Sequence, residues 1–97
     1  SRHHHLLKVE CECDTLDQVE AAVLAGADVI LLDNMSASQM REAVDLVSGR
    51  ALLEASGGVT LERIPEIAAT GVDFISMGSL THGSRAVDIG LDWDDAA

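Results

Sequence analysis

The sequence is short of aromatic and basic side chains. One Phe and one Trp are its only aromatics, and Tyr is absent. A core without rings must be built from Ala, Val, Leu and Ile, whose contacts are individually small and need close packing. Lys and Arg together number six against 17 Asp and Glu, a net charge of −11. Such a field repels polyanions, so nucleic acid and anionic membrane are not expected as partners. No apolar run approaches the ~20 residues of a membrane span, and no signal peptide opens the chain. The only two Cys, Cys11 and Cys13, stand two apart on strand-like sequence. Neighbours on one strand face rarely bridge, so they read as reduced core thiols in a cytoplasmic protein. Half of a metal site is the weaker reading, because no second pair exists.

What is present fits one folded unit. The apolar share is 47% and the charged share 24%, and 97 residues make at most one domain. The start at Ser1 rather than Met, with the polar "SRHHH", reads as a cut end. His3, His4 and His5 read as a tag remnant or solvated loop before a metal cluster.

The pattern alternates strand and helix. "KVECEC" (8–13) is β-prone, and "LDQVEAAVLAGA" carries Leu16, Val19, Ala22 and Val23 on a helical stripe that Gly26 closes. "DVILLD" (28–33) is a continuous apolar run of buried-strand type. Ser36 and Gln39 form a capping-box pattern before "MREAVDLV", and Gly49 ends that helix. "ALLEA" (51–55) is the third strand. Thr60 opens a further helical segment, although Pro65 argues for a late start near Ile64. "DFISMG" (73–78) is the fourth strand. Met35, Met40 and Met77 fall on apolar positions and read as core. The chain also repeats: "AGADVILLDNMS" aligns with "TGVDFISMGSLT", placing Asp28 on Asp73. Strict alternation with buried strands predicts an α/β fold of parallel strands with outer helices. A complete (β/α) barrel needs ~250 residues, so four strands read as half a barrel or the end of a longer one.

In such folds chemistry sits at the strand carboxyl ends. Those ends hold Glu12, then Asp33 and Asn34, then Glu54 with Ser56, Gly57 and Gly58, then Gly78 and Ser79. Glu10 and Glu12 share a face, so at least one carboxylate is expected to enter the barrel and need a partner. "SGG" admits two readings, a βα turn needing positive φ or a backbone-lined anion site at a helix N-terminus. Carboxylates suit vicinal ribose hydroxyls and glycine loops suit phosphate, so the set together favours a sugar phosphate. A Val at Gly57 is then expected to block phosphate while shifting stability by no more than ~1 kcal/mol.

"KVECECDTLDQVEAAVLAGADVILLDNMS", "LLEASGGVTLERI" and "TGVDFISMGSLTHGSRAVDIGLD" resemble the C-terminal part of quinolinate phosphoribosyltransferase, also called nicotinate-nucleotide pyrophosphorylase (carboxylating). The resemblance spans roughly residues 6–92. It implies the C-terminal portion of a broken (β/α) barrel, with an N-terminal sandwich domain and the first barrel strands outside residues 1–97. It implies transfer of phosphoribosyl from phosphoribosyl pyrophosphate to quinolinate with Mg2+, giving nicotinate mononucleotide, pyrophosphate and carbon dioxide in NAD biosynthesis. A cytoplasmic homodimer or larger homo-oligomer is expected. By the same resemblance Glu12 and Asp33 hold ribose hydroxyls, while Ser56, Gly57, Gly58, Gly78, Ser79 and Leu80 bind substrate phosphate. Ser79, Met77, Cys11 and Pro65 depart mildly from the family pattern. His82 reads as structural.

The family's cationic anion-binding residues have no counterpart in this segment, and Arg85 alone does not make that pocket. The isolated chain is therefore expected to be inactive. The competing reading is a non-catalytic half-barrel fragment or assembly module. Another phosphate-binding barrel synthase would share the last two loops but leave "LLDNMS" unexplained.

Overall fold

The computed structural model describes residues 8–77 and 85–88. Its elements are β1 Glu10–Cys13, α1 Leu16–Leu24, β2 Val29–Asp33, α2 Ala37–Val47, β3 Leu52–Ser56, α3 Ile64–Ala68, β4 Phe74–Met77 and β5 Arg85–Asp88. They form one sheet in the order β1-β2-β3-β4-β5. The first four strands are parallel, and each pairs with the next along the chain. Helix α1 packs on α2 and α2 on α3, so the helices lie side by side along the sheet. Sequential order without reversal is how a barrel wall grows; a doubly wound sheet would switch direction.

Local chemistry explains where the helices begin and end. Thr15 caps α1, its Oγ1 accepting from Gln18 N–H at 3.2 Å, while Asp14 N–H donates to Gln18 Oε1 at 2.7 Å. The capping box at α2 forms as the sequence predicts: Gln39 N–H donates to Ser36 Oγ at 3.1 Å and Ser36 N–H to Gln39 Oε1 at 3.0 Å. At the far end of α2, Arg50 donates to the carbonyls of Val47 at 3.0 Å and Leu46 at 2.8 Å. A cation there also complements the negative end of the helix dipole. Pro65 sits in the first turn of α3, where its missing N–H costs little, after a 3-10 turn at Leu61–Arg63. The late helix start near Ile64 is what the structure has.

The covered sheet face carries Cys13, Ile30, Leu32, Leu53, Ala55 and Ile75, all buried. Against them pack Val19, Ala22, Met40, Ala43, Val47 and Ile67 from the helices, with Met35 from the β2–α2 loop. Met77 is half-buried. Cys11 is half-buried and Cys13 buried, both as free thiols. Burial pushes the Cys13 thiol up from its ordinary 9.0, with Cys11 and Asp14 adding to the effect.

The internal repeat has a mechanical meaning. Asp28 Oδ2 accepts from Val9 N–H at 2.9 Å, and Asp73 Oδ2 accepts from Leu53 N–H at 2.9 Å. In return Asp28 N–H donates to Val9 O at 2.8 Å and Asp73 N–H to Leu53 O at 2.9 Å. Each repeat thus staples the amino end of its strand to the preceding one.

Strand β5 is a departure from the sequence reading, which has four strands. It runs antiparallel to β4, with Phe74 opposite Asp88 and Met77 opposite Arg85. Only residues 78–84 separate the two strands, fewer than the dozen or so that a parallel crossover needs, so the return must be antiparallel. The expectation of a partnered carboxylate at Glu10 or Glu12 is also not met. Both are exposed, and neither has a partner among the described residues. Their face of the sheet is not covered by α1, α2 or α3, so no desolvation forces a pairing.

Two features of this framework can be tested directly. Asp73→Ala leaves Leu53 N–H without its acceptor and should lower unfolding free energy by about 1–3 kcal/mol, with Asp73→Asn losing less. Urea denaturation measures both. A thiol whose folded pKa is raised favours the fold while neutral, so its contribution is complete below the unfolded pKa. It is lost as pH rises past about 9, where the unfolded thiol ionises first. Cys13→Ser should remove that alkaline slope in a pH series of melting temperatures.

Candidate functional site at the strand carboxyl ends

Register decides which side chains meet. Glu12 is opposite Leu31, and Leu31 is opposite Glu54, so these three share one row on the uncovered face. Two residues further along, Asp33 is opposite Ser56 on the same face. Glu12 and Asp33 line a single depression together with Cys13, Asp14 and Gln18. The two carboxylates that the resemblance assigns to one sugar are therefore brought together.

The glycine loop is pressed against the β2 loop. Asn34 N–H donates to Ser56 O at 2.9 Å, extending the β2–β3 ladder one step beyond the strands. Gly57 and Gly58 both have φ of 71°, and Asn34 itself has φ of 61°. A Cβ at Gly57 would strike Asp33 Oδ1 and stand 3.1 Å from Asn34 N. A Cβ at Gly58 would lie 2.9 Å from Asn34 Oδ1. Both positions thus need glycine twice over, for φ and for close approach. Each N–H of Gly57, Gly58 and Val59 meets no acceptor among the described residues, which leaves them able to serve an anion.

The expected helix N-terminus behind this loop is much reduced. Thr60 makes no side-chain cap bond, and it leads only into a three-residue 3-10 turn and the five-residue α3. So little aligned backbone adds only a weak dipole behind the loop amides.

One residue escapes the sequence reading. Arg63 donates from Nη1 to Gly58 O at 3.2 Å, from Nη2 to Met35 O at 3.4 Å, and from Nε to Glu66 Oε2 at 2.9 Å. The Arg-x-x-Glu spacing is visible in the sequence, but the other partners are main-chain carbonyls on two loops, which no side-chain pattern discloses. Gly78, Ser79, Leu80 and His82, with His3, His4 and His5, lie outside the described residues. Arg85 opens β5 opposite Met77. Among the described residues no three His, Cys, Asp or Glu gather as a metal site, and no helix is long and apolar enough to cross a membrane.

A sequentially ordered parallel sheet with its candidate site on the carboxyl-end rim defines this chain as part of an α/β-barrel type of protein. Comparison with known proteins supplies the family. Residues 1–92 match the model of the quinolinate phosphoribosyl transferase C-terminal domain, and the chain belongs to that family. A probable nicotinate-nucleotide pyrophosphorylase (carboxylating) of Bacillus subtilis is 42% identical over 88 residues, covering 91% of this chain and 30% of the relative. The Mycobacterium leprae nicotinate-nucleotide pyrophosphorylase (carboxylating) is 44% identical over 89 residues, covering 89% and 31%. The structure of the nicotinate-nucleotide pyrophosphorylase from Ehrlichia chaffeensis superimposes with a TM-score of 0.74 at 42% identity, over 90% of this chain and 32% of that one. The chain thus spans about a third of the length of the relatives it matches.

The geometry revises the expected cost of a side chain at Gly57. Displacing the Asp33 carboxylate and forcing positive φ makes Gly57→Val more damaging than the ~1 kcal/mol of an average substitution. Even Gly57→Ala should cost of order 1–2 kcal/mol. Ser56→Ala, which keeps the backbone, should stay within about 0.5 kcal/mol, and thermal melts of both variants check the contrast.

Proposed function

We propose that this chain supplies the ribose- and phosphate-binding rim of a quinolinate phosphoribosyltransferase. The reaction joins quinolinate to the phosphoribosyl group of phosphoribosyl pyrophosphate and yields nicotinate mononucleotide, pyrophosphate and carbon dioxide, a step of NAD biosynthesis. The observation that carries this reading is the convergence of Glu12 and Asp33 on one depression, with the Ser56–Gly58 loop packed against Asp33. Ionised carboxylates accept from vicinal hydroxyls and fix the sugar's orientation. The amides of Gly57 and Gly58, without an acceptor among the described residues, donate to the substrate phosphate, and Gly78, Ser79 and Leu80, which follow β4 in the chain, join them in binding it.

Magnesium fits this arrangement as a companion of the diphosphate. The carboxylates of Glu12, Asp14 and Asp33 line one depression without gathering as a ligand set among the described residues, which matches an ion that keeps its waters and takes few protein ligands. When bound it would neutralise charge on the pyrophosphate leaving group. Six basic residues in a field of −11 do not gather two polyanionic substrates. The part of the relatives that this chain does not cover supplies the cationic groups, in a cytoplasmic homodimer or larger homo-oligomer.

In the complete protein, Glu12→Gln and Asp33→Asn each remove a charged acceptor while keeping shape. Each should weaken use of phosphoribosyl pyrophosphate by about 10–100-fold, corresponding to roughly 1.5–3 kcal/mol, and spare quinolinate binding. Steady-state kinetics with each substrate varied in turn measures this, and equal losses for both would return the acids to a shaping role. The 97-residue chain alone should form no nicotinate mononucleotide.

A further inference from the structure

Two peptides of the glycine loop are held by groups outside it. The Ser56 carbonyl accepts from Asn34 N–H at 2.9 Å, and the Gly58 carbonyl accepts from Arg63 Nη1 at 3.2 Å. No peptide among the described residues is cis, and in a trans peptide the carbonyl and the following N–H point opposite ways. Holding Ser56 O toward the β2 loop therefore turns Gly57 N–H away from it. Holding Gly58 O toward Arg63 turns Val59 N–H away from the guanidinium. Neither N–H meets an acceptor among the described residues.

The two restraints differ in kind. The first continues a strand ladder, whereas the second depends on one side chain. Gly58 has positive φ and no Cβ, so the Gly58–Val59 peptide can rotate at little cost while Val59 stays in the core. A rotated plane would aim a carbonyl oxygen where an anion needs an N–H. Arg63 is itself anchored, by Glu66 Oε2 at 2.9 Å and by the carbonyl of Met35, a residue only 1% exposed. The guanidinium thus ties the loop after β3 to the loop that follows Asp33.

We infer that Arg63 is a positioning residue, which locks the Gly58–Val59 peptide so that Val59 N–H joins Gly57 N–H as a donor to the phosphate of the phosphoribosyl donor. This rests on the phosphoribosyltransferase reading of the site. The residue acts through the loop and does not itself touch substrate. Its guanidinium is already engaged by two carbonyls and a carboxylate.

The test uses Arg63→Met, Arg63→Lys, Glu66→Gln and Asp33→Asn in the complete protein. Arg63→Met keeps the aliphatic stem and removes every donor. Its KM for phosphoribosyl pyrophosphate should rise about 10-fold, while KM for quinolinate stays within about two-fold. Arg63→Lys, which can still reach one carbonyl, should recover part of the loss. Glu66→Gln should move the same constant less, and add little when combined with Arg63→Met. A lower melting temperature with both KM values unchanged, or equal losses for both substrates, overturns the positioning role. If Arg63→Met does not fold, Glu66→Gln decides, and an unchanged KM for phosphoribosyl pyrophosphate overturns it. Asp33→Asn separates the two levels. Should it weaken phosphoribosyl pyrophosphate while Arg63→Met does not, only the role of Arg63 falls; should it have no effect, the reading of the site falls and this inference with it.

Discussion

The contact between Gly57 and Asp33 is the constraint on which the rim depends. The β3 loop can approach the β2 loop this closely only because neither Gly57 nor Gly58 carries a Cβ. That approach sets a carboxylate beside a row of amides with no acceptor among the described residues, and it goes with the left-handed backbone at Asn34, Gly57 and Gly58. A single close packing event between two loops thus accompanies both a turn and a set of donors that meet no acceptor among the described residues. The two readings of this stretch are thus compatible, because a turn built on positive φ at two glycines leaves its amides without an acceptor among the described residues.

The two ends of the sheet divide the work. At the amino ends, Asp28 and Asp73 bond main-chain groups of the preceding strand, and each is both acceptor and donor there. At the carboxyl ends, Glu12 and Asp33 line a depression and meet no donor side chain among the described residues. The same residue type is structural at one end and available at the other. The parallel run β1–β4 makes this possible, because each of those strands presents its amino end on one side and its carboxyl end on the other.

Much of this is legible in the sequence. The four parallel strands can be read from Gly-punctuated apolar runs, and the α2 boundary from Ser36 and Gln39, because these signals are local. Pro65 also announces the late start of α3. What escapes a sequence reading is non-local. Strand β5 depends on the short return after β4, which carries no strong strand pattern in "RAVD". The exposure of Glu10 and Glu12 depends on which sheet face the helices cover, and alternation alone fixes only that they share one. Arg63 binds carbonyls of Gly58 and Met35, and main-chain acceptors leave no mark in composition or spacing.

The scarcity of cations on the described part of the rim has a physical consequence of its own. A lysine or arginine placed beside Asp33 or Glu12 would compete for those carboxylates as an ion pair, leaving them poorer acceptors for a hydroxyl. Backbone amides carry no net charge and impose a weaker competition, so donors for an anion and acceptors for hydroxyls can stand next to each other. Arg63, which donates to the Gly58 carbonyl, fits this arrangement. Its guanidinium is committed to Gly58 O, Met35 O and Glu66 Oε2, and among the described residues it makes no ion pair with Asp33 or Glu12. The chain places its positive charge behind the loop, where it shapes the main chain, and leaves the uncharged N–H groups in front.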